Sequence, residues 1–189
     1  MSLPRIVIDH PPWLEGTVDW DLRLPPGAPR MRWVIGLVRE QVRRGTGGPF
    51  AAAIFEYDSG RLVGVGLNRV VPMNNCCLHA EVMAIMTAQA RLESYSLGLD
   101  GMPAHELVTS CDPCAMCVGA AFWSGVERVV AGADRDDAMA LGFDEGPVFP
   151  ETYAYLAERG VEVERGVCRE EAAEALASYL QRGGEIYNG

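Results

Sequence analysis

The sequence contains no lysine: all 16 of its basic residues are arginine. That excludes a lysine Schiff base, a lysine general base and the phosphate loop whose lysine reaches the terminal phosphates. Long apolar runs are missing too. A stretch such as Phe50-Ala51-Ala52-Ala53-Ile54-Phe55 falls far short of the roughly 20 residues a membrane-crossing helix needs. Positive charge is in deficit, 16 basic against 26 acidic side chains, for a net charge of −10. A nonspecific nucleic-acid binder needs a basic surface to release counterions, so none is expected. The N-terminal run carries Asp9 and the pair Pro11-Pro12 and lacks the apolar core of a signal peptide. A cytoplasmic protein with reduced cysteines is expected, and its six cysteines then require a purpose other than disulfides.

What is present is a globular composition, 49% hydrophobic and 22% charged over 189 residues, enough for one domain with its own core. Residues 1–30 are rich in proline and tryptophan without a sustained period and read as an extended arm. Residues 31–189 read as a single domain. Met31, Val34, Val38 and Val42 recur at helical spacing, and Gly45 ends that helix. Strands are expected over Phe50–Tyr57, Leu62–Val70, Glu106–Ser110, Val126–Gly132 and Val161–Val167, the first two joined by the Asp58-Ser59-Gly60 turn. Pro72 to Cys77 reads as a loop. Helices are expected over His79–Leu92, Cys114–Trp123, Asp136–Leu141, a segment after Pro150, and Arg169–Arg182. Strands alternating with helices point to an α/β fold with one sheet covered on both faces.

Two segments carry chemistry. Leu78-His79-Ala80-Glu81 opens one helix, and Asp112-Pro113-Cys114-Ala115-Met116-Cys117 opens another. His79, Cys114 and Cys117 offer three zinc ligands and leave the fourth tetrahedral position for water, as a catalytic site requires. Pro113 stands where its helix begins, and the positive end of the helix dipole favours thiolates there. His79 and Glu81, two apart, do not share a helix face. They converge only beyond the N-terminal end of the helix. Zinc lowers the pKa of its water from about 15.7 to about 7, and a carboxylate beside it, Glu81, is placed to shuttle protons. A closed structural site is the alternative, with Cys111, Cys76 or Cys77 as a fourth thiolate. An iron–sulfur cluster is more remote, because no Cys-Pro follows.

The H-x-E and P-C-x-x-C pair is the signature of zinc deaminases. At these residues the chain resembles the cytidine/deoxycytidylate deaminase superfamily from about Met31 onward. The resemblance implies a three-layer α-β-α sandwich with a mixed five-stranded sheet, one zinc ion per chain, and a homodimer whose C-terminal tail reaches the partner's site. Thr109 to Cys117 is similar to the guanine and tRNA-adenosine branch, apart from Asp112, where that branch more often has glutamate. Gly47 to Ala53, Asn68 to Pro72, Gly142 to Pro147 and Ile186-Tyr187-Asn188 are similar to bacterial guanine deaminases, including those that accept ammeline. In that group Asn68 would bind the base and Glu145 would be a second catalytic acid. Phe50, Trp123 and Phe143 are the rings expected against the substrate, with Tyr187 a further candidate and Ala80 lying between ligand and acid.

Three functions compete. One is a deaminase of a free nucleobase, guanine above all, with cytosine, guanosine or ammeline as other aminated rings. A second is a tRNA adenosine deaminase, which the acidic stretch 151–189, four arginines against eight acids, disfavours. A third is a zinc-stabilised binding module, which has no need of Glu81.

Overall fold

In the computed structural model, which describes residues 3–187, side chains alternate along each central strand. Ala51, Ala53 and Phe55 enter one apolar cluster, while Ala52 and Ile54 enter the other. Val108 and Leu107 divide in the same way, as do Val130 and Val129. A period of two is what a pleated strand imposes, and with both sides apolar the sheet must be covered on both faces.

The sheet holds β1 (Ala51–Glu56), β2 (Leu62–Leu67), β3 (His105–Cys111), β4 (Arg128–Ala133) and β5 (Glu162–Glu164), in the order β2-β1-β3-β4-β5. β1 runs antiparallel to β2 and β3, whereas β3, β4 and β5 are parallel. On one face lie α2 (Ala28–Arg44) and α8 (Arg169–Gln181), which contribute Met31, Val34, Ile35, Val38, Ala172 and Leu176. On the other lie α4 (Ala80–Leu92) and α5 (Ala115–Ser124), with Ala80, Ala84, Ala88 and Ala121. The mixed three-layer sandwich is as expected.

Three local expectations change. The N-terminal segment is not extended throughout: Pro12 starts a one-turn helix, α1 (Pro12–Glu15), which buries Leu14. Strand β2 stops at Leu67, and α3 (Val70–Met73) forms where strand and loop were expected, ended by Asn74 in the left-handed region. The last strand is three residues, because only Glu162–Glu164 pair with β4. Asn188, part of the expected C-terminal motif, lies outside the described residues.

Helix α4 sits unusually close to β2. A Cβ on Gly66 would run into the Ala80 carbonyl and the Ala84 amide, and one on Gly64 would meet Ala84 and Ala88. Ala80, Ala84 and Ala88 recur every four residues and form one small-residue face. Glycines on the strand and alanines on the helix therefore let two backbones touch, and this fixes the height of the N-terminal end of α4. The N-terminal segment is anchored by Arg30, fully buried, which donates to Glu106 (3.0 Å), the Leu24 carbonyl (2.9 Å) and the Tyr57 carbonyl (2.8 Å).

Replacing Gly66→Ala is expected to lower stability by about 1–3 kcal/mol, the usual range for overpacking, and to weaken metal retention. Gly36→Ala in α2, where nothing lies within 4 Å of the new Cβ, is the control. It is expected to be neutral or stabilising by up to about 1 kcal/mol. Urea unfolding of both variants checks the contrast.

Candidate active site

Two helix starts converge. His79 is the N-cap of α4 and Cys114 the N-cap of α5, both with extended backbone (ψ 157° and 171°). Cys117 lies one turn into α5. Pro113 therefore stands one residue outside the helix, where its missing N–H costs nothing. The His79 nitrogen and the Cys114 and Cys117 sulfurs lie within 4.8 Å of one another, and Cys114 Sγ is 3.4 Å from His79 Nδ1. One imidazole and two thiols form a zinc donor set with a position to spare, and the residues fit that ion.

The electrostatics agree. A hydrogen bond from the Cys117 thiol, and then the neighbouring His79, hold Cys114 down to about 4, so it is a thiolate at neutral pH. Cys117 is pushed well up, first by Cys114 and then by burial. The two sulfurs keep one proton between them until a metal takes its place. Among the described residues, no fourth thiol joins the cluster. Cys111 is buried and turns its sulfur to the Asp134 carbonyl (3.5 Å), while Cys76 and Cys77 face solvent. The closed-site alternative lacks its fourth ligand.

Glu81, in the first turn of α4, is buried beside the cluster. Burial, then the Cys114 thiolate, raise its pKa. Glu145 comes from the loop between α6 (Arg135–Met139) and α7 (Pro150–Glu158). Burial, followed by Cys114 and Glu81, pushes it up to about 8. Glu145 thus retains its proton at neutral pH while the thiolate charge is unbalanced, Glu81 is shifted in the same direction, and a dication bound there draws both down. The Glu145 backbone carbonyl accepts the Ala115 N–H at 3.0 Å, which seats this loop on the start of α5.

Phe50, Asn68, His79, Glu81, Asp112, Cys114, Glu145 and Tyr187 enclose a cavity of about 10 Å³, close to the volume of one water-sized sphere. Asn68 follows β2. Its N–H donates to the Phe50 carbonyl (3.0 Å), and its own carbonyl accepts Gln41 Nε2 (3.0 Å). Gly47 and Gly48 make room beside it: a Cβ on Gly47 would strike the Asn68 carbonyl, and one on Gly48 the Tyr187 hydroxyl.

Of the other expected contacts, Tyr187 lines the cavity, while Trp123, Phe143 and Ala80 do not. Trp123 is 79% exposed on the outer face of α5, because six residues beyond Cys117 amount to about 600° of turn, well away from the ligand face. Phe143 lies behind Phe50, edge-on at 5.1 Å, and is nearly fully buried. It supports the wall without lining the cavity. Ala80 is spent on the packing against β2. Tyr187 lines the cavity of its own chain, stacked edge-on to Phe143 at 5.3 Å. The sequence reading did not place Asp112 in the site. Its carboxylate accepts Arg165 Nε and Nη2 and the Arg135 N–H (3.2 Å). The available signal was an acid directly before the Pro-Cys pair.

Comparison with known proteins agrees with this geometry. Residues 30–133 match the cytidine and deoxycytidylate deaminase zinc-binding region. Guanine deaminase from Bacillus subtilis is 36% identical over 131 residues, 69% of this chain and 80% of that one. The solved structure of guanine deaminase from Nitrosomonas europaea superposes with a TM-score of 0.88 at 44% identity, covering 93% of this chain and 96% of that one. A solved chain in complex with 2,6-diaminopurine superposes with a TM-score of 0.91 at 44% identity, covering 97% of each.

Elemental analysis of the purified protein is expected to find one zinc per chain. Cys114→Ala and His79→Ala are expected to lose it. Because the metal binds only the folded site, the metal-free protein should unfold at lower temperature. Equal melting curves with and without chelator would refute this.

Proposed function

The chain belongs to the cytidine and deoxycytidylate deaminase zinc-binding family, and on that premise we propose that it is a zinc-dependent aminohydrolase that converts guanine to xanthine and ammonia. The observation that carries this reading is the buried Glu81, two residues from His79, at the wall of a cavity whose other sides are Asn68, Glu145 and Phe50. Bound zinc supplies acidified water at neutral pH.

The residues of the chain do the rest. Glu81 takes a proton from the attacking water and delivers it to N3 of the purine, which makes C2 the electrophile. It then carries a second proton to the departing amine, so that ammonia leaves. General acid–base transfer of this kind contributes about 10²–10⁴-fold. The Asn68 amide offers a donor and an acceptor to the purine edge. Glu145 accepts from ring N–H groups when ionised and donates when protonated. Phe50, braced by Phe143, faces the flat ring. The space of about 10 Å³ is smaller than a purine, so the cavity wall must open as substrate enters.

A charge of −10 disfavours a polyanionic RNA substrate. The six cysteines are unpaired, which fits a cytoplasmic protein. Helix α5 holds no charged residue, and Met116 and Trp123 project from it into solvent. Between two acidic chains, an uncharged apolar face is where a second copy docks with least repulsion, and this supports a homodimer.

Ammonia release from guanine, guanosine, ammeline, cytosine, cytidine and adenine tests the substrate. Guanine is expected to be turned over, with ammeline the next best. Glu81→Gln should lower kcat by about 10³-fold, and Asn68→Ala should chiefly raise KM. Turnover of a different ring alone would sink the guanine assignment while keeping Glu81. For assembly, light scattering is expected to report a dimer, and Trp123→Glu should shift it to monomer.

A further inference from the structure

Cys76 and Cys77 are adjacent, both are exposed, and their sulfurs lie 4.0 Å apart. They occupy the two middle positions of a turn, because the Leu78 N–H donates to the Asn75 carbonyl (3.2 Å). The Asn75 side chain stiffens that turn by accepting the Cys77 N–H at 3.0 Å. The remaining cysteines differ: Cys111, Cys114 and Cys117 are buried and Cys168 is partly covered. The chemistry described above uses neither Cys76 nor Cys77.

We propose that Cys76 and Cys77 form an oxidative modification site, which a peroxide-class oxidant closes into a reversible vicinal disulfide that loosens the metal centre. One sulfur attacks the peroxide O–O bond, giving a sulfenic acid and one water. The second sulfur displaces the hydroxyl of that sulfenic acid as another water, and the S–S bond forms. Two thiols lose two hydrogens, and the peroxide is reduced to two waters. A small dithiol reverses the step by exchange.

The link to the metal is structural. A disulfide needs its sulfurs about 2.05 Å apart, and the peptide link fixes adjacent Cα atoms about 3.8 Å apart, so the Cα atoms cannot shift to accommodate the bridge and the torsions of the turn must. The sulfurs must move in from 4.0 Å, and the turn backbone must change to let them. Directly after it, Leu78 is buried, and its carbonyl accepts the Arg69 N–H at 2.9 Å. The next residue is His79. One anchored residue therefore separates the turn from a metal ligand, and a change in the turn has no slack in which to dissipate.

The test uses the full zinc-loaded protein. After treatment with hydrogen peroxide and removal of the oxidant, intact mass should fall by two hydrogens. Cys76 and Cys77 should resist alkylation, and a non-reducing gel should show single chains. Zinc transfer to a chromogenic chelator should be about tenfold faster, the lower end of what disturbing a ligand's surroundings costs. Dithiothreitol should reverse both effects. Cys76→Ser/Cys77→Ser, with its zinc ligands intact, should show neither. The proposal is overturned if the two thiols stay alkylatable. It is also overturned if the bridge joins other cysteines or two chains, or if zinc transfer accelerates equally in the double variant. Mass and zinc readouts are independent of which ring the enzyme deaminates.

Discussion

The contact on which the site depends is the backbone-to-backbone approach of α4 to β2. Gly64 and Gly66 supply no side chain, and Ala80, Ala84 and Ala88 supply methyl groups only. His79 stands at the N-cap of that helix and Glu81 in its first turn, so the packing distance sets where both groups stand relative to Cys114 and Cys117. A helix held off by larger residues would raise both together, away from the two sulfurs. In this chain, stability and metal geometry are settled by the same few small residues. Burial does the second half of the work. It raises the proton affinity of Glu81, which suits a carboxylate that must take a proton from water and pass it on.

A second set of charges ties distant segments to this frame. Glu106, fully buried, receives Arg30 from α2 and Arg128 from β4. Removing one partner of such a group costs about 3–5 kcal/mol, since a charge is then left buried without compensation. Asp112 plays the corresponding part at the other end of β3, where Arg165 beyond β5 and the start of α6 meet beside Cys114. Strand β3 thus carries an anchoring acid at one end, while the turn leaving its other end carries another and then the thiolates.

The zinc ligands and Glu81 were legible because they are local. Their spacing within four to six residues encodes the geometry, and helix starts enforce it. The sheet was legible from short continuous apolar runs bounded by turn residues, as in β1 and β4. Trp123 stands outside this chain's cavity, because an aromatic near a Cys-x-x-Cys motif says nothing of helix phase unless the phase is counted from the ligands. Phe143 was recognised as important but belongs one layer back, a distinction that composition cannot draw. Asp112 stands next to the Pro-Cys pair, but the partner that fixes its carboxylate, Arg165, lies 53 residues away, which no window in the sequence contains. The three-residue β5 carries exposed glutamates at both ends, so its pattern was too weak to mark its limits.

The order in which the ligands appear along the chain has a consequence for biogenesis. His79 follows the antiparallel hairpin, while Cys114 comes 35 residues later, after β3 has paired with β1. Before that pairing the imidazole and the thiols belong to unconnected pieces of a growing chain, and long-range pairing of this kind is slow compared with local helix formation. The ion therefore finds its complete donor set only once the sheet has brought the two helix starts together. It enters a site that the finished sheet has already drawn together, so metal content reports on chains that have completed their folding.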